Sequence, residues 1–211
     1  MKKIIILIFL ASFICGCTNV KNLTYDDTLR TISSNSGKQN VYRTGYKYFL
    51  PRGIEVIDSK TFNEVLSNDK YKFYLYVDAL SFHNNIKNTY KVNSNCYYSK
   101  IISYKDKFGY LEINLTEKEK YLIEIMYNYA KIEVIVEKED INKNLLSAIS
   151  ILKSIEYKDS IVANMFGDDV LHFVEEEFNI FNTTSNDSTY IQIDNTYQEK
   201  EETVPDTDLI K

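Results

Sequence analysis

The chain has few of the residues that build metal centres, redox sites and disulfide frameworks. Among its 211 residues there are two histidines, three cysteines, two prolines and no tryptophan. His83 and His172 lie far apart, and neither has a partner at a spacing typical of metal ligands. Glu175 and Glu176 follow His172 on a predicted helix, a spacing that a solvated helix face explains. We therefore expect no metal and no cofactor.

The signature motifs of several large enzyme classes are also absent. The sequence contains no phosphate-binding loop, dinucleotide fingerprint, HExxH, CxxC pair or GxSxG turn. Two Ser-x-x-Lys spacings occur, Ser67 to Lys70 and Ser150 to Lys153. They lack the motifs that accompany this spacing in enzymes, and the many serines and lysines of the chain produce it by chance. The sequence thus predicts a protein that is not an enzyme.

No apolar run in the sequence is long enough for an ordinary transmembrane helix, and the longest run lies at the N terminus. Two lysines precede eleven apolar or small residues, Ile4 to Ile14, and Gly16 stands just before Cys17. At ~1.5 Å per residue, such a helix spans about half of a ~30 Å hydrocarbon core, which excludes an ordinary transmembrane helix. A positive start, a short apolar run and a small residue are the layout of a secretory signal. We expect residues 1–16 to be a signal peptide and the protein to be exported.

The residues at the end of this segment resemble the lipobox of bacterial lipoproteins. Ile14, Cys15 and Gly16 occupy the three positions before the cysteine, and Cys17 occupies the cysteine position. The resemblance implies lipidation of Cys17 and a lipid anchor on the extracytoplasmic face of the cell membrane. Two or three acyl chains hold firmly, since each buried methylene contributes ~0.8 kcal/mol. The alternative is a conventional signal cleavage site, at which Cys15 and Cys17 are ordinary small residues.

Without the signal peptide the chain is acidic. It retains 23 basic and 30 acidic residues, a net charge of −7. Such a chain lacks the basic surface of a nucleic-acid-binding protein and has no electrostatic attraction to anionic lipid. Cys96 is the only cysteine beyond the lipobox, so no disulfide forms within the domain unless Cys17 stays unmodified. We interpret Cys96 as a small buried side chain rather than a reactive thiol.

Composition divides the mature chain into three parts. Residues 17–44 are polar and form a lipidated tether, with a short helix predicted at about 25–33 and opened by Thr24 in a capping-box pattern. Residues 45–181 carry the periodic apolar patterns of a globular domain. Residues 182–211 are rich in acidic and small polar residues and are predicted to be a disordered acidic tail.

Within the globular range, strand patterns come first and helical patterns follow. The predicted strands are Tyr46–Leu50, Ile54–Ile57, Phe62–Leu66, Tyr71–Asp78, Tyr97–Tyr104, Gly109–Leu115, Tyr121–Tyr127 and Ala130–Glu137. Residues 79–95 are predicted to be a loop or a short helix around 82–88. An apolar stripe from Asp140 to Ile155 predicts a helix, with Asp140 as its N-cap. A second helix is predicted over residues 160–166. These patterns predict an α+β fold in which a C-terminal helix packs on an antiparallel sheet of about six or seven strands.

This order of elements resembles the PsbP-like α/β/α sandwich. The matching features are an aromatic strand that ends in Pro-x-Gly, residues 46–53 (YKYFLPRG), and the closing helix, residues 145–155 (LLSAISILKSI). The resemblance spans about residues 24–157. It implies a fold that mainly serves non-enzymatic accessory proteins, although fold alone does not determine function.

Three functional hypotheses remain open on the sequence. The first is a non-catalytic envelope lipoprotein that binds or positions a protein or cell-wall partner near the membrane. The second is a small envelope hydrolase that uses carboxylates such as Asp78, and the third is a ligand-binding lipoprotein of a transporter. Tyr74 and Tyr76 share a predicted strand face with Asp78, where they form either a stacking surface for a glycan or peptide or an ordinary wet sheet face.

Overall fold

In the computed structural model of the chain, the structure describes residues 23–166. The predicted signal peptide, Cys17, the last part of the predicted globular range and the predicted tail at 182–211 lie outside the described residues. His172 and its two glutamates lie outside them as well.

The described residues form ten strands and four α-helices. The strands are β1 (Val41–Tyr42), β2 (Tyr46–Tyr48), β3 (Glu55–Lys60), β4 (Asn63–Ser67), β5 (Lys72–Val77), β6 (Tyr98–Tyr104), β7 (Lys107–Leu115), β8 (Tyr121–Tyr127), β9 (Ala130–Val136) and β10 (Glu156–Tyr157). The helices are α1 (Tyr25–Arg30), α2 (Ala79–His83), α3 (Ile141–Leu152) and α4 (Asp159–Phe166). Short 3-10 turns follow α1 at Thr31–Ser33 and precede α3 at Lys138–Asp140.

The strands form two antiparallel sheets. The large sheet has seven strands in the order β3-β4-β5-β9-β8-β7-β6, and the small sheet has the order β1-β2-β10. The predicted α+β fold, with an antiparallel sheet and a packed C-terminal helix, is therefore confirmed. Strands β6 to β9 form a meander, because each pairs with the next in sequence. The finer resemblance to the PsbP-like sandwich stays a prediction.

The alternation of apolar and polar residues explains how the large sheet obtains a buried face. On β9, Ile132, Val134 and Val136 are fully buried, whereas Glu133 and Ile135 between them are half-buried. Successive side chains of a strand point to opposite faces, so this alternation directs one set into the core. Helix α3 covers that face over β8 and β9.

The apolar stripe of α3 is buried as predicted. Its stripe residues are all 0 or 1% exposed: Ile141, Leu145, Ala148, Ile149, Leu152 and the following Ile155. Asp140 occupies the N-cap position, but its side chain makes no capping hydrogen bond there. The carboxylate of Asp140, predicted to cap α3, accepts tertiary hydrogen bonds from Lys70 and Tyr71 instead.

The folded part begins earlier than the composition indicates. Helix α1 forms as predicted, since Thr24 accepts from the backbone amide of Asp27 and donates to its carboxylate. The helix then packs on α3, and residues of the predicted tether continue into β1. The ammonium group of Lys153 donates to the carbonyl oxygen of Thr31 at 2.9 Å and to the hydroxyl of Ser34 at 2.6 Å. These contacts are long-range, so the polar composition of the segment does not reveal them.

Two further elements differ from the prediction. The sequence predicts a single antiparallel sheet, but the strand that begins at Tyr46 is the middle strand of a separate small sheet, between β1 and β10. Helix α2 begins at Ala79 rather than near residue 82, because the carboxylate of Asp78 accepts the backbone N–H of Ser81 at 2.8 Å and caps the helix there.

Candidate functional site

The chain enters the described fold at one end of the large sheet, beside the start of α3. The side-chain amide of Asn142, in the first turn of α3, donates to the carbonyl oxygen of Leu23 at 2.6 Å. Asn142 Oδ1 accepts from the hydroxyl of Thr28 at 3.2 Å. Helix α1 and the residue before it are thereby attached to the same end of α3. Leu23, the first described residue, therefore lies at this end of the domain.

Four tyrosines meet at this end and form what we call the tyrosine cluster: Tyr25, Tyr97, Tyr98 and Tyr121. The ring centroid of Tyr25 lies 6.3 Å from that of Tyr97 and 5.1 Å from that of Tyr98, both in edge-on geometry. The rings of Tyr97 and Tyr121 are 4.8 Å apart. Edge-on aromatic pairs stabilise beyond the area they bury. Burial, together with the hydrogen bond to Tyr97, raises the pKa of Tyr25 to about 12, so its hydroxyl stays neutral.

Part of this end is apolar and exposed. Tyr97 is 46% exposed and Leu115 is 59% exposed. Both residues lie beside Tyr121. Leu115 is paired with Tyr121 in the strand register, and the ring of Tyr97 packs against the ring of Tyr121. The ammonium group of Lys138 lies 5.7 Å from the centre of the Tyr97 ring. We call Tyr97, Leu115 and the outer edge of the tyrosine cluster the entry surface.

The charges around the entry surface are mixed in sign. The exposed turn between β7 and β8 alternates glutamate and lysine over residues 117–120. Lys120 pairs with Glu137 at 3.2 Å. Asp26 of α1 accepts hydrogen bonds from Lys100 and, at 2.9 Å, from Tyr98, and these contacts hold its pKa below the usual range. The surface therefore offers apolar and hydrogen-bonding contacts without a strong field of either sign.

A shallow cleft lies nearby, between the β4–β5 turn and the start of α3. Its volume is about 190 Å³, and its lining includes Lys70, Tyr71, Asp140 and Asn144. Asp140 accepts from the ammonium group of Lys70 at 2.6 Å and from the hydroxyl of Tyr71 at 2.7 Å. Small-molecule sites usually have about 300–1,000 Å³. The cleft is small by that measure, and its carboxylate is already neutralised by a lysine.

A buried carboxylate lies in the core of the large sheet. Glu64 on β4 is 0% exposed and faces the small sheet. Its oxygens accept from the hydroxyls of Tyr46 at 2.7 Å and Tyr48 at 2.9 Å, and from the guanidinium of Arg43 at 2.6 Å. Burial and the adjacent Glu64 charge raise the pKa of both tyrosines well above the ordinary value. This network joins the two sheets, and Arg43 is its only partly exposed member, since Glu64 and both tyrosines are buried.

A second polar group lies on the opposite face of the large sheet. The ring of Tyr90 stacks on Tyr110 at 4.3 Å. The hydroxyl of Tyr90 donates to Glu112 and hydrogen-bonds with Ser99 at 2.7 Å. Glu112 is directly opposite Glu124 in the strand register, and Tyr110 donates to Glu124 at 2.5 Å. Each of the two carboxylates thus accepts a hydrogen bond from a tyrosine hydroxyl.

Burial dominates the ionisation of this second group. It raises the pKa of Glu124, with smaller increases from Glu133 and Glu112, while Lys131 and Tyr110 act in the other direction. Burial and the nearby Glu112 raise the pKa of the Cys96 thiol to about 12. Because the thiolate is the nucleophilic form, such a thiol is unreactive at neutral pH. Cys96 itself is only partly buried, just before β6, and is not the buried side chain that the sequence predicts.

The residues that the sequence singled out do not converge. Asp78 caps α2 and His83 lies exposed at the end of that helix. Tyr74 and Tyr76 are half-buried on the sheet face away from α3.

Neither Ser-x-x-Lys pair forms a site. The hydroxyl of Ser150 donates to the carbonyl of Leu146 within α3, and Lys153 bonds to Ser34 and neighbouring carbonyls. Lys70 pairs with Asp140. Cys17 lies outside the described residues.

Sequence reasoning missed Glu64 and its partners. The sequence did contain a signal. Glu64 stands two positions from Phe62 and from Leu66 in the predicted strand, so all three side chains are predicted to share the face that points into the core. A charge at an inward position requires a partner, but nothing local identifies that partner as Arg43. The tyrosine cluster was equally invisible, since its members lie up to 96 positions apart in the sequence.

No family model matches the chain, and no curated protein matches it either. Within residues 23–166, no three His, Cys, Asp or Glu side chains form a group that could hold a metal ion. None of the helices in that range is long and apolar enough to cross a membrane.

Proposed function

We propose that this protein is an exported lipoprotein, anchored to the extracytoplasmic face of the cell membrane through Cys17. Its folded domain binds or positions a protein or cell-wall partner close to the membrane and is not an enzyme. The observation that carries the proposal is the lipobox pattern of residues 14–17, which stands directly before the point where the chain enters the fold.

The distance from the lipid to the domain supports this function. Leu23, the first described residue, is six positions after Cys17. Six residues reach about 20 Å when fully extended, and as a random coil they span about 13 Å on average. The predicted tether, residues 17–44, spans 28 residues, but the folded part begins within that range. The domain is therefore held much closer to the bilayer than its composition indicates.

The side chains of the described domain favour binding over catalysis. Asp78, the carboxylate named for the hydrolase hypothesis, accepts the N–H of Ser81 and holds the start of α2. Glu64 is enclosed by three donors. The cleft at Asp140 is small for the solute that a transporter lipoprotein would carry. In contrast, the entry surface offers exposed apolar area, which in soluble domains marks interaction sites.

The anchor is tested with two matched cysteine variants. In cells that process lipoproteins, wild type and Cys15→Ala should both lose residues 1–16 and gain the mass of a diacylglycerol. Cys17→Ala should gain no lipid, because no thiol remains to form the thioether. Intact mass and membrane fractionation measure both effects. Equal mass and equal membrane retention in wild type and Cys17→Ala would refute the anchor.

The partner is tested by cross-linking in intact cells, followed by identification of the cross-linked protein or cell-wall fragment. A neighbour captured by wild type and lost with Cys17→Ala supports positioning at the membrane. Turnover of cell-wall fragments by the purified chain, abolished by Asp78→Asn, would contradict the proposal and favour the hydrolase hypothesis.

A further inference from the structure

We propose that the entry surface is a membrane-contact surface, on which Tyr97 and Leu115 rest against the phospholipid headgroups and orient the domain. This inference depends on the proposed lipid anchor at Cys17. It adds that the entry surface is the face that contacts the phospholipid headgroups, which fixes the orientation of the sheet relative to the bilayer.

The point of entry of the chain decides which end of the domain faces the lipid. Leu23 is held to α3 by Asn142, and the tyrosine cluster joins α1 to the ends of the neighbouring strands. From Tyr98 to Tyr104, β6 extends about 20 Å along the sheet at the usual rise per residue. A tether that spans about 13 Å as a random coil keeps the entry surface next to the bilayer. The opposite end of the sheet, about 20 Å further away, reaches the bilayer only when the tether is fully extended and the domain is turned over.

The exposed side chains suit a lipid headgroup layer. Tyrosine is favoured at membrane interfaces because its ring is apolar and its hydroxyl is polar. Leu115, which is 59% exposed, adds aliphatic area beside Tyr121. The ammonium group of Lys138 lies above the ring of Tyr97, at the end of a long flexible side chain of the kind that reaches the polar layer of a membrane.

The charge at this end argues for lipid in preference to a charged macromolecule. The turn at 117–120 contains two glutamates and two lysines, and all four are exposed. Lys120 is also paired with Glu137. Such a surface neither attracts nor repels a zwitterionic headgroup layer, so the contact is driven by apolar and interfacial side chains. We therefore expect the orientation to be insensitive to salt.

The opposite end of the same strand provides a matched control. Tyr104 closes β6 and is 36% exposed. The ammonium group of Lys105 lies 5.5 Å from the centre of its ring, much like Lys138 above Tyr97. Tyr97 and Tyr104 thus share residue type, partial exposure and a neighbouring lysine. They differ in their distance from the point at which the tether enters.

The absence of tryptophan from the chain allows a clean fluorescence experiment. Full-length lipidated Tyr97→Trp, Leu115→Trp and Tyr104→Trp proteins are reconstituted into phosphatidylcholine vesicles that contain nitroxide-labelled phosphatidylcholine. Interfacial side chains lie within about 5–10 Å of the headgroup boundary, so quenching at positions 97 and 115 should be at least about twice that at position 104. Their emission should also shift to the blue on reconstitution, at low and at high salt.

The outcomes separate the orientation from the anchor. If the proteins float with the vesicles but quenching at positions 97 and 104 is equal, the membrane-contact surface is refuted and the anchor stands. If the proteins do not float and carry no lipid mass, the anchor fails and the orientation fails with it. A blue shift at position 97 that grows with protein concentration in the Cys17→Ala background without vesicles would assign the surface to a second copy of the chain and refute the lipid contact.

Discussion

Replacing Glu64 with glutamine removes the charge at the centre of the network that joins the two sheets. The carboxylate accepts from Tyr46 at 2.7 Å, from Tyr48 at 2.9 Å and from Arg43 at 2.6 Å. Glutamine has nearly the same shape, but one of its terminal atoms is an NH₂ group that donates. Side-chain volume is conserved, so the substitution changes hydrogen bonding and charge with little effect on packing.

The expected loss of stability follows from these contacts. A hydrogen bond to a charged group contributes ~1.5–3 kcal/mol and a neutral one ~0.5–1.5 kcal/mol, so each tyrosine loses about 1 kcal/mol. Arg43 loses its carboxylate partner, but its side chain is 29% exposed, and water compensates for much of that loss. With about 1 kcal/mol for the arginine after this discount, we expect Glu64→Gln to lower the free energy of unfolding by about 3 kcal/mol.

Urea unfolding at neutral pH, followed by far-UV circular dichroism, measures this loss. Glu55→Gln is the matched control, because Glu55 is an exposed residue at the start of the edge strand β3. Its effect should stay within about 0.5 kcal/mol. Arg43→Gln should cost at least about 1 kcal/mol less in the Glu64→Gln background than in wild type, since its partner is already lost. A loss below about 1 kcal/mol for Glu64→Gln, or additive effects with Arg43→Gln, would refute the network argument.

Two further substitutions test other parts of the fold. Burial raises the pKa of Glu124, so the folded state binds its proton more tightly and stability falls as pH rises through that window. Wild type should therefore lose more stability than Glu124→Gln between about pH 4 and pH 7 in urea titrations, and parallel curves would contradict this. A Cβ at Gly109 would overlap the carbonyl oxygen of Met126 on the paired strand, whereas one at Gly53 meets nothing within 4 Å and strains only the backbone, whose φ is +78°. In thermal unfolding, Gly109→Ala should lose about 2 kcal/mol or more, and a smaller loss than that of Gly53→Ala would refute the close approach.

Local patterns predicted most of the large sheet and its covering helix. The run from Tyr121 to Tyr127 has the predicted bounds, and the stripe from Ile141 to Leu152 is buried as expected. Both patterns repeat over two or four residues, so a short window of sequence contains the full signal. The small sheet was missed because β1 and β10 have only two residues each. A strand that short has no period to detect.

The candidate site depended on distant contacts. The lipobox resemblance is local, and it makes Cys17 a prediction from residue types alone. The entry surface required the placement of α1 beside the first strand of the meander, where Tyr25 packs on Tyr97 and Tyr98. Leu115 gave no sequence signal as a surface residue, because its strand pattern predicts an inward position. It is exposed since it lies at the very end of β7.

By itself, the sequence determined the order along the chain of the strands of the large sheet, the buried stripe of α3 and the cap of α1, because these depend on neighbours within one or two turns. The tertiary structure alone decided that β5 pairs with β9, that Glu64 is enclosed by Arg43 and two tyrosines, and that the chain enters beside an exposed aromatic surface. Pairings of that kind join residues tens of positions apart. Their choice depends on the free energy of the whole packed core, which no local pattern contains.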